Sequence, residues 1–137
     1  MTEEMIEQVL PSRIESIAEA AATAAEIAGR FGFGEEALFG IDMAVREAVT
    51  NAVMHGNRQD ATRNVEIGYT TSETALVITV RDRGNGFDPA AVPDPTDAQN
   101  LLKASGRGIL FMRNFMDDVR WECHPEGGIV VRMTKNK

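Results

Sequence analysis

Residues 35–56 read EEALFGIDMAVREAVTNAVMHG and carry the strongest pattern in this chain of 137 residues. Apolar side chains recur there every three or four positions, at Leu38, Ile41, Val45, Ala48, Val49, Ala52 and Val53. That spacing places them on one stripe of an α-helix. The segment therefore predicts an amphipathic helix over 35–56 whose stripe packs against a core.

A line of polar residues accompanies the stripe. Glu47, Asn51 and His55 follow one another at intervals of four, and each step drifts by about 40° around a helix of 3.6 residues per turn. The amide oxygen of Asn51 could hold a hard cation, while the carboxylate one turn earlier could polarise a hydroxyl. Taken alone, an ordinary solvated helix face explains these residues better.

Upstream of this helix, residues 5–10 alternate loosely and predict a short edge strand. Ser12 and Glu15 have the spacing of a capping box, which predicts that a second helix opens there and runs to about Phe31.

Downstream, two runs rich in β-branched residues, 65–69 and 75–80, predict an antiparallel hairpin. A short helix over 109–116 and strands over 118–123 and 128–133 complete the chain. Because helices and adjacent strands occur in blocks, we expect an α+β fold. Its predicted form is a two-layer α/β sandwich with a mixed, mostly antiparallel sheet and helices on one face.

The first of two glycine-rich segments, Asp82-Arg83-Gly84-Asn85-Gly86, directly follows the strand predicted at 75–80. An aspartate there can accept a hydrogen bond from an exocyclic amine, and glycines let the backbone approach a flat ligand. A plain turn uses the same residue types. This motif is therefore weak when considered alone.

The second, Ser105-Gly106-Arg107-Gly108, opens the short helix over 109–116. Free amides and the positive end of a helix dipole can seat a phosphate, to which Arg107 could add charge. A flexible loop before an ordinary helix is an equally good reading of this segment alone. Neither a P-loop nor a dinucleotide-binding fingerprint is present.

Composition excludes several classes of function. The net charge is −7 and the isoelectric point is near 4.8, so direct nucleic-acid binding is not expected, because it depends on Lys and Arg neutralising phosphates. No apolar run approaches the roughly 18 residues of a membrane span, and residues 1–10 lack the features of a secretory signal. We expect one compact cytoplasmic domain over 1–137.

Together, the three motifs resemble the ATP-binding motifs of the superfamily that contains DNA gyrase, heat-shock chaperones, histidine kinases and mismatch-repair ATPases. They have the same order: Glu-x-x-x-Asn on a helix, Asp-x-Gly-x-Gly after a strand and Gly-x-Gly opening a helix. The chain is most similar to the small anti-sigma-factor serine/threonine kinases, which also have a Leu-Pro-Ser before a long helix, as at residues 10–12 here.

That resemblance implies a Bergerat-type ATP-binding fold and a role for each matching residue. Asn51 would coordinate Mg²⁺ on the ATP phosphates, and Glu47 would be the catalytic general base. Asp82 would receive the adenine amino group, with the adenine pocket shaped by Gly84 and Gly86. The phosphates would be bound by Gly106, Arg107 and Gly108. His55 is read as a capping or packing residue.

The implied function is that of an ATP-dependent anti-sigma factor and serine/threonine protein kinase. Such a protein phosphorylates an anti-sigma-factor antagonist, sequesters a sigma factor and forms a homodimer. The alternative is a non-catalytic ATP-binding regulatory module that binds a protein partner. A histidine-kinase fragment is disfavoured, because neither His55 nor His124 lies in a separate helical hairpin. One departure is Ile129, which stands where the superfamily often has a hydroxyl residue near adenine.

Overall fold

The computed structural model describes residues 3–84 and 108–137. Within them lie five strands: β1 (Glu4–Pro11), β2 (Asn64–Thr71), β3 (Ala75–Arg81), β4 (Asp118–Cys123) and β5 (Ile129–Asn136). The helices are α1 (Glu15–Phe31), α2 (Glu35–Thr50), a π-helical segment (Asn51–Gly56) that continues α2, and α3 (Gly108–Phe115). Each predicted helix and strand is present.

The strands form one sheet in the order β1-β2-β3-β5-β4, and each pairing in the described residues is antiparallel. Buried side chains alternate along β3, so one face of the sheet turns inward. That face and the apolar sides of α1 and α2 share one hydrophobic core. The α+β sandwich with helices on one face is confirmed, with a sheet that is antiparallel throughout these residues.

The start of α1 differs from the prediction. Its N-cap residue is Ile14, which makes no side-chain cap hydrogen bond. Ser12 instead donates its hydroxyl to the carbonyl oxygen of Arg63 at 2.5 Å. The prediction of a capping box was therefore wrong. The hydroxyl of Ser12, which would have capped the helix, bonds instead to Arg63 in the chain before β2.

The predicted helix over 35–56 changes its winding near the end. It is α-helical to Thr50 and π-helical from Asn51 to Gly56, and the amide of Asn57 donates to the carbonyl oxygen of Ala52 at 2.8 Å. A bond between residues i and i+5 widens the turn, so each residue advances less around the axis than in an α-helix. Beyond Asn51, four residues therefore cover less than a full turn, so the line of polar residues does not continue the drift that the α-helical spacing predicted.

Within the described ranges, no helix combines the length and the apolar character needed to cross a bilayer.

Candidate nucleotide site

Asp82 is the first residue after β3, and its carboxyl group is held firmly. The residue is 7% exposed. Its amide donates to the carbonyl oxygen of Ile129 at 3.1 Å, while Oδ1 accepts the amides of Gly84 at 3.1 Å and Ile129 at 3.2 Å. Three main-chain hydrogen bonds thus fix the orientation of a buried acid at the end of a central strand.

The second carboxyl oxygen of Asp82 is left for another partner. Within the described residues, no group donates a hydrogen bond to Oδ2. Burial raises the pKa of Asp82, and the amides of Gly84 and Ile129 act in the opposite direction. The residue is largely buried, and a carboxyl oxygen without a donor among the described residues fits a ligand amine, which would take the place of solvent water there.

Glycines surround Asp82 because the backbone approaches it too closely for side chains. A β-carbon on Gly56 would overlap Cγ and Oδ2 of Asp82, and one on Gly84 would overlap the carbonyl oxygen of Gly56. Gly128 has a φ of +84°, and a β-carbon there would overlap the carbonyl oxygen of Asp82. The end of the π-helical segment, the exit of β3 and the start of β5 therefore meet at this aspartate.

Glu47 and Asn51 lie on the same continuous helix that ends at Gly56. Both are half-buried, and neither side chain has a hydrogen-bond partner among the described residues. Glu47 precedes Gly56 by nine residues along this helix. The helix therefore joins an unpaired carboxylate and amide, at one end, to the contact with Asp82 at the other.

The pKa of Glu47 is raised by burial, and the charge of the exposed His55 acts in the opposite direction. Glu47 is therefore a carboxylate of increased basicity, which suits proton removal from a hydroxyl. His55 was read as a capping or packing residue, but its exposed side chain makes no hydrogen bond among the described residues. The effect of His55 in the structure is electrostatic, because its charge lowers the pKa of Glu47.

The remaining predicted site residues belong to the third motif and to the loop after β3. Gly108 is the first residue of α3, which packs against α2. Gly86, Gly106 and Arg107 lie outside the described residues. No cluster of three or more His, Cys, Asp or Glu side chains suitable for a metal occurs in the part of the chain that the structure describes.

Sequence reasoning missed residues that act through their main chain or through distant contacts. Gly56 was predicted only as a helix end, and Ile129 only as a missing hydroxyl. Asn57, predicted as part of a polar turn, is 1% exposed and its Oδ1 accepts the amide of Arg83 at 2.7 Å. The adjacent Gly56 and Asn57 directly after the Glu-x-x-x-Asn motif were the available signal for this junction.

Comparisons with known proteins agree with this architecture. Residues 10–135 match the family described as histidine kinase-like ATPase domain. The serine-protein kinase RsbW of Bacillus subtilis (strain 168) is 31% identical over 136 residues, covering 95% of this chain and 84% of that protein. The anti-sigma F factor of the same organism is 38% identical over 99 residues, covering 70% of this chain and 67% of that protein.

Among solved structures, the fold is similar to the RsbU and RsbW domains of a Mycobacterium tuberculosis protein. The TM-score is 0.70 at 19% identity, over 96% of this chain and 32% of that chain. This likeness concerns the fold, and the chain spans about a third of the length of that protein. The family match over residues 10–135 and the RsbW relative show that the chain belongs to the histidine kinase-like ATPase domains, in the group of the RsbW serine-protein kinases and anti-sigma F factors.

Proposed function

We propose that this protein is an ATP-dependent anti-sigma factor and serine/threonine protein kinase. Its substrate would be an anti-sigma-factor antagonist, and the partner that it sequesters would be a sigma factor. The relatives named serine-protein kinase RsbW and anti-sigma F factor support this assignment. The single observation that carries it is Asp82, a residue that is 7% exposed, whose Oδ1 accepts two main-chain amides and whose Oδ2 has no donor among the described residues.

In this proposal, Oδ2 of Asp82 accepts the exocyclic amine of adenine. Guanine has a carbonyl oxygen in place of that amine, so it would bring two acceptors together. Gly84 lets the backbone stay close to the base, and Gly86 does the same in the predicted motif. The rigid hold on Oδ1 means that little conformational entropy is lost when adenine binds.

Magnesium is assigned to Asn51. Mg²⁺ commonly takes one or two protein oxygens and completes its shell with substrate phosphates and water. The half-buried Asn51, with no hydrogen bond to a described residue, fits this limited role. The bound cation would neutralise charge on the phosphates, whose other contacts we assign to Gly106, Arg107 and Gly108.

Glu47 is assigned as the general base. Its carboxylate would accept the proton of a serine or threonine hydroxyl on the antagonist as the hydroxyl oxygen bonds to the γ-phosphorus. The bond from that phosphorus to the β–γ bridging oxygen breaks, and ADP leaves with the electron pair. The raised pKa of Glu47 brings its basicity closer to what proton transfer at neutral pH requires.

We further propose that residues 1–137 act as one cytoplasmic ATP-binding unit and that the protein forms a homodimer. The net charge of −7 favours protein partners over nucleic acid. The non-catalytic alternative keeps ATP and the protein partner but assigns no proton transfer to Glu47. The half-burial and raised pKa of Glu47 favour the kinase over that alternative.

The test uses the purified protein, γ-labelled ATP, Mg²⁺ and an antagonist captured from the native cell. We expect label on a serine or threonine of the antagonist, and a loss of about 10²- to 10⁴-fold in rate for Glu47→Gln. The control Glu36→Gln alters an exposed glutamate on the same helix and should be silent. Calorimetric ATP binding without any labelling would support the module instead, and absence of binding would refute both readings.

A further inference from the structure

Asn57 joins three parts of the fold through one buried side chain. It is the residue after the π-helical segment and is 1% exposed. Nδ2 donates to Oγ of Ser12 at 2.7 Å and to the carbonyl oxygen of Asn64 at 3.1 Å. Oδ1 accepts the amide of Arg83 at 2.7 Å. The residue therefore links the chain after β1, the start of β2 and the exit of β3.

The hydrogen bond from the amide of Arg83 to Asn57 affects the backbone next to the predicted adenine acceptor, because Arg83 lies between Asp82 and Gly84. The amides of these two neighbours are already bonded, to Ile129 and to Oδ1 of Asp82. With Asn57 accepting the amide of Arg83, three consecutive amides after β3 are fixed. The direction in which Oδ2 of Asp82 points depends on this stretch of backbone.

The side chain of Arg83 does not fix the backbone after β3 in the same way. It reaches Glu66 on β2, with Nε 3.2 Å from Oε2 and Nη2 3.1 Å from Oε1, in an exposed ion pair. Exposed pairs of this kind contribute little, about 0–1 kcal/mol. A hydrogen bond between a buried amide oxygen and the main chain resists rotation of the peptide more directly.

We propose that Asn57 is a positioning residue for adenine recognition, holding the backbone after β3 so that Asp82 presents its unpaired oxygen to the base. This inference rests on the proposed function, because it concerns the same nucleotide site. Asn57 touches no part of the ligand in this role and acts through Arg83. Its side chain must supply an acceptor towards β3 and donors towards β1 and β2 at once, which suits a carboxamide.

The test compares Asn57→Ala with Ser12→Ala. The first removes the acceptor for the amide of Arg83, whereas the second removes a partner of Asn57 and leaves that acceptor in place. Both variants lose buried hydrogen bonds, so both should lower the free energy of unfolding by about 1–3 kcal/mol. Titration calorimetry with ATP and with GTP is carried out at a temperature where circular dichroism shows each variant folded.

We expect Asn57→Ala to raise the ATP dissociation constant by at least about tenfold and to shrink the preference for ATP over GTP. Ser12→Ala should change both by less than about threefold. General destabilisation would instead lower the binding stoichiometry while the dissociation constant of the folded molecules stayed constant. Equal ATP dissociation constants in wild type and Asn57→Ala would overturn the inference.

Hydrogen exchange on the nucleotide-free protein separates this inference from the proposed function. In the wild type, the amide of Arg83 should exchange at least about a hundredfold more slowly than in an unstructured peptide. Asn57→Ala should speed exchange at Arg83, and Ser12→Ala should do so much less. Fast exchange in the wild type would overturn the inference even if Asn57→Ala did not fold. Slow exchange in a protein that binds no ATP would refute the proposed function instead.

Discussion

Asp82 and Ile129 exchange two hydrogen bonds across the open end of the β3–β5 pair. The amide of Asp82 donates to the carbonyl oxygen of Ile129, and the amide of Ile129 donates to Oδ1 of Asp82. From the sequence, Ile129 predicted the loss of a contact with adenine, because its side chain lacks the hydroxyl that the superfamily often has at this position. Its main chain instead holds the predicted adenine acceptor, a function that does not depend on the identity of the side chain.

We expect Asp82→Asn to lower ATP affinity by about 10- to 150-fold, the value of one hydrogen bond to a charged group. The two amides that bond to Oδ1 require an oxygen there, so the new amide nitrogen would occupy the place of Oδ2 and oppose the adenine amine. Titration calorimetry measures the effect. Asp118→Asn, at an exposed aspartate paired with Arg120, makes the same charge change as a control and should leave affinity unchanged.

The same substitution should not weaken the fold, because burial of the Asp82 charge is unfavourable. Its folded pKa lies above the unfolded value, so the native state binds this proton more tightly. Stability therefore decreases as pH rises from the unfolded pKa through the folded pKa. Asp82→Asn should remove that decrease and leave the neutral-pH free energy of unfolding equal or about 1 kcal/mol higher. Urea unfolding across pH checks this, and a less stable variant would contradict it.

Gly56→Ala should destabilise the protein by about 1–3 kcal/mol and weaken ATP binding together. The added methyl group would overlap the carboxyl group of Asp82, which cannot move without breaking its main-chain hydrogen bonds. Gly29→Ala is the matched control, because its β-carbon meets no atom within 4 Å in helix α1. That change should raise stability by about 0.5–1 kcal/mol. Thermal unfolding and calorimetry distinguish the two variants.

The pH dependence of phosphoryl transfer should report Glu47. A base must be deprotonated, so the rate should rise with pH through a pKa above the ordinary 4.5 of this group. The charge of His55 opposes that increase, and His55→Ala should move the acidic limb to higher pH. Single-turnover rates at saturating ATP give the profile. An acidic limb that stayed in place in His55→Ala would refute the electrostatic link.

Asn51→Ala should weaken ATP binding in the presence of Mg²⁺ by about tenfold or more, because the cation loses its protein ligand. In excess EDTA the difference from the wild type should disappear, since Asn51 then has no cation to bind. Calorimetry in both buffers makes the comparison. Asn114→Ala, at an exposed site on α3, controls for loss of a helical asparagine. A loss of equal size in EDTA would assign Asn51 to direct nucleotide contact.

Local patterns were sufficient to predict the helices and the strands, because the period of the apolar residues differs between the two kinds of element. They were not sufficient at Asn51, where the winding becomes π-helical. The apolar positions Ala52 and Val53 are buried and suit either winding. Ser12 was wrongly read as a cap because its partner, Arg63, is 51 positions away along the chain.

The part of the candidate site that is formed by reactive or polar side chains could be predicted from the sequence. Glu47, Asn51 and Asp82 could be named from their chemistry and order, and their roles stay predictions. The hydrogen bonds that fix Asp82 and the backbone after it could not be predicted, because they come from main-chain atoms of Ile129 and from the side chain of Asn57, in separate parts of the chain. Such contacts depend on the tertiary fold, and the sequence marked the junction only through Gly56 and Asn57 directly after the Glu-x-x-x-Asn motif.

The sheet order β1-β2-β3-β5-β4 places the strand leading to Asp82 between two hydrogen-bonded neighbours. Edge strands fray at a lower free-energy cost than strands paired on both sides. Transient opening of β1 or β4 therefore leaves the pairing of β3 with β2 and β5 intact. The predicted adenine acceptor therefore follows a strand that stays paired on both sides when either edge of the sheet opens.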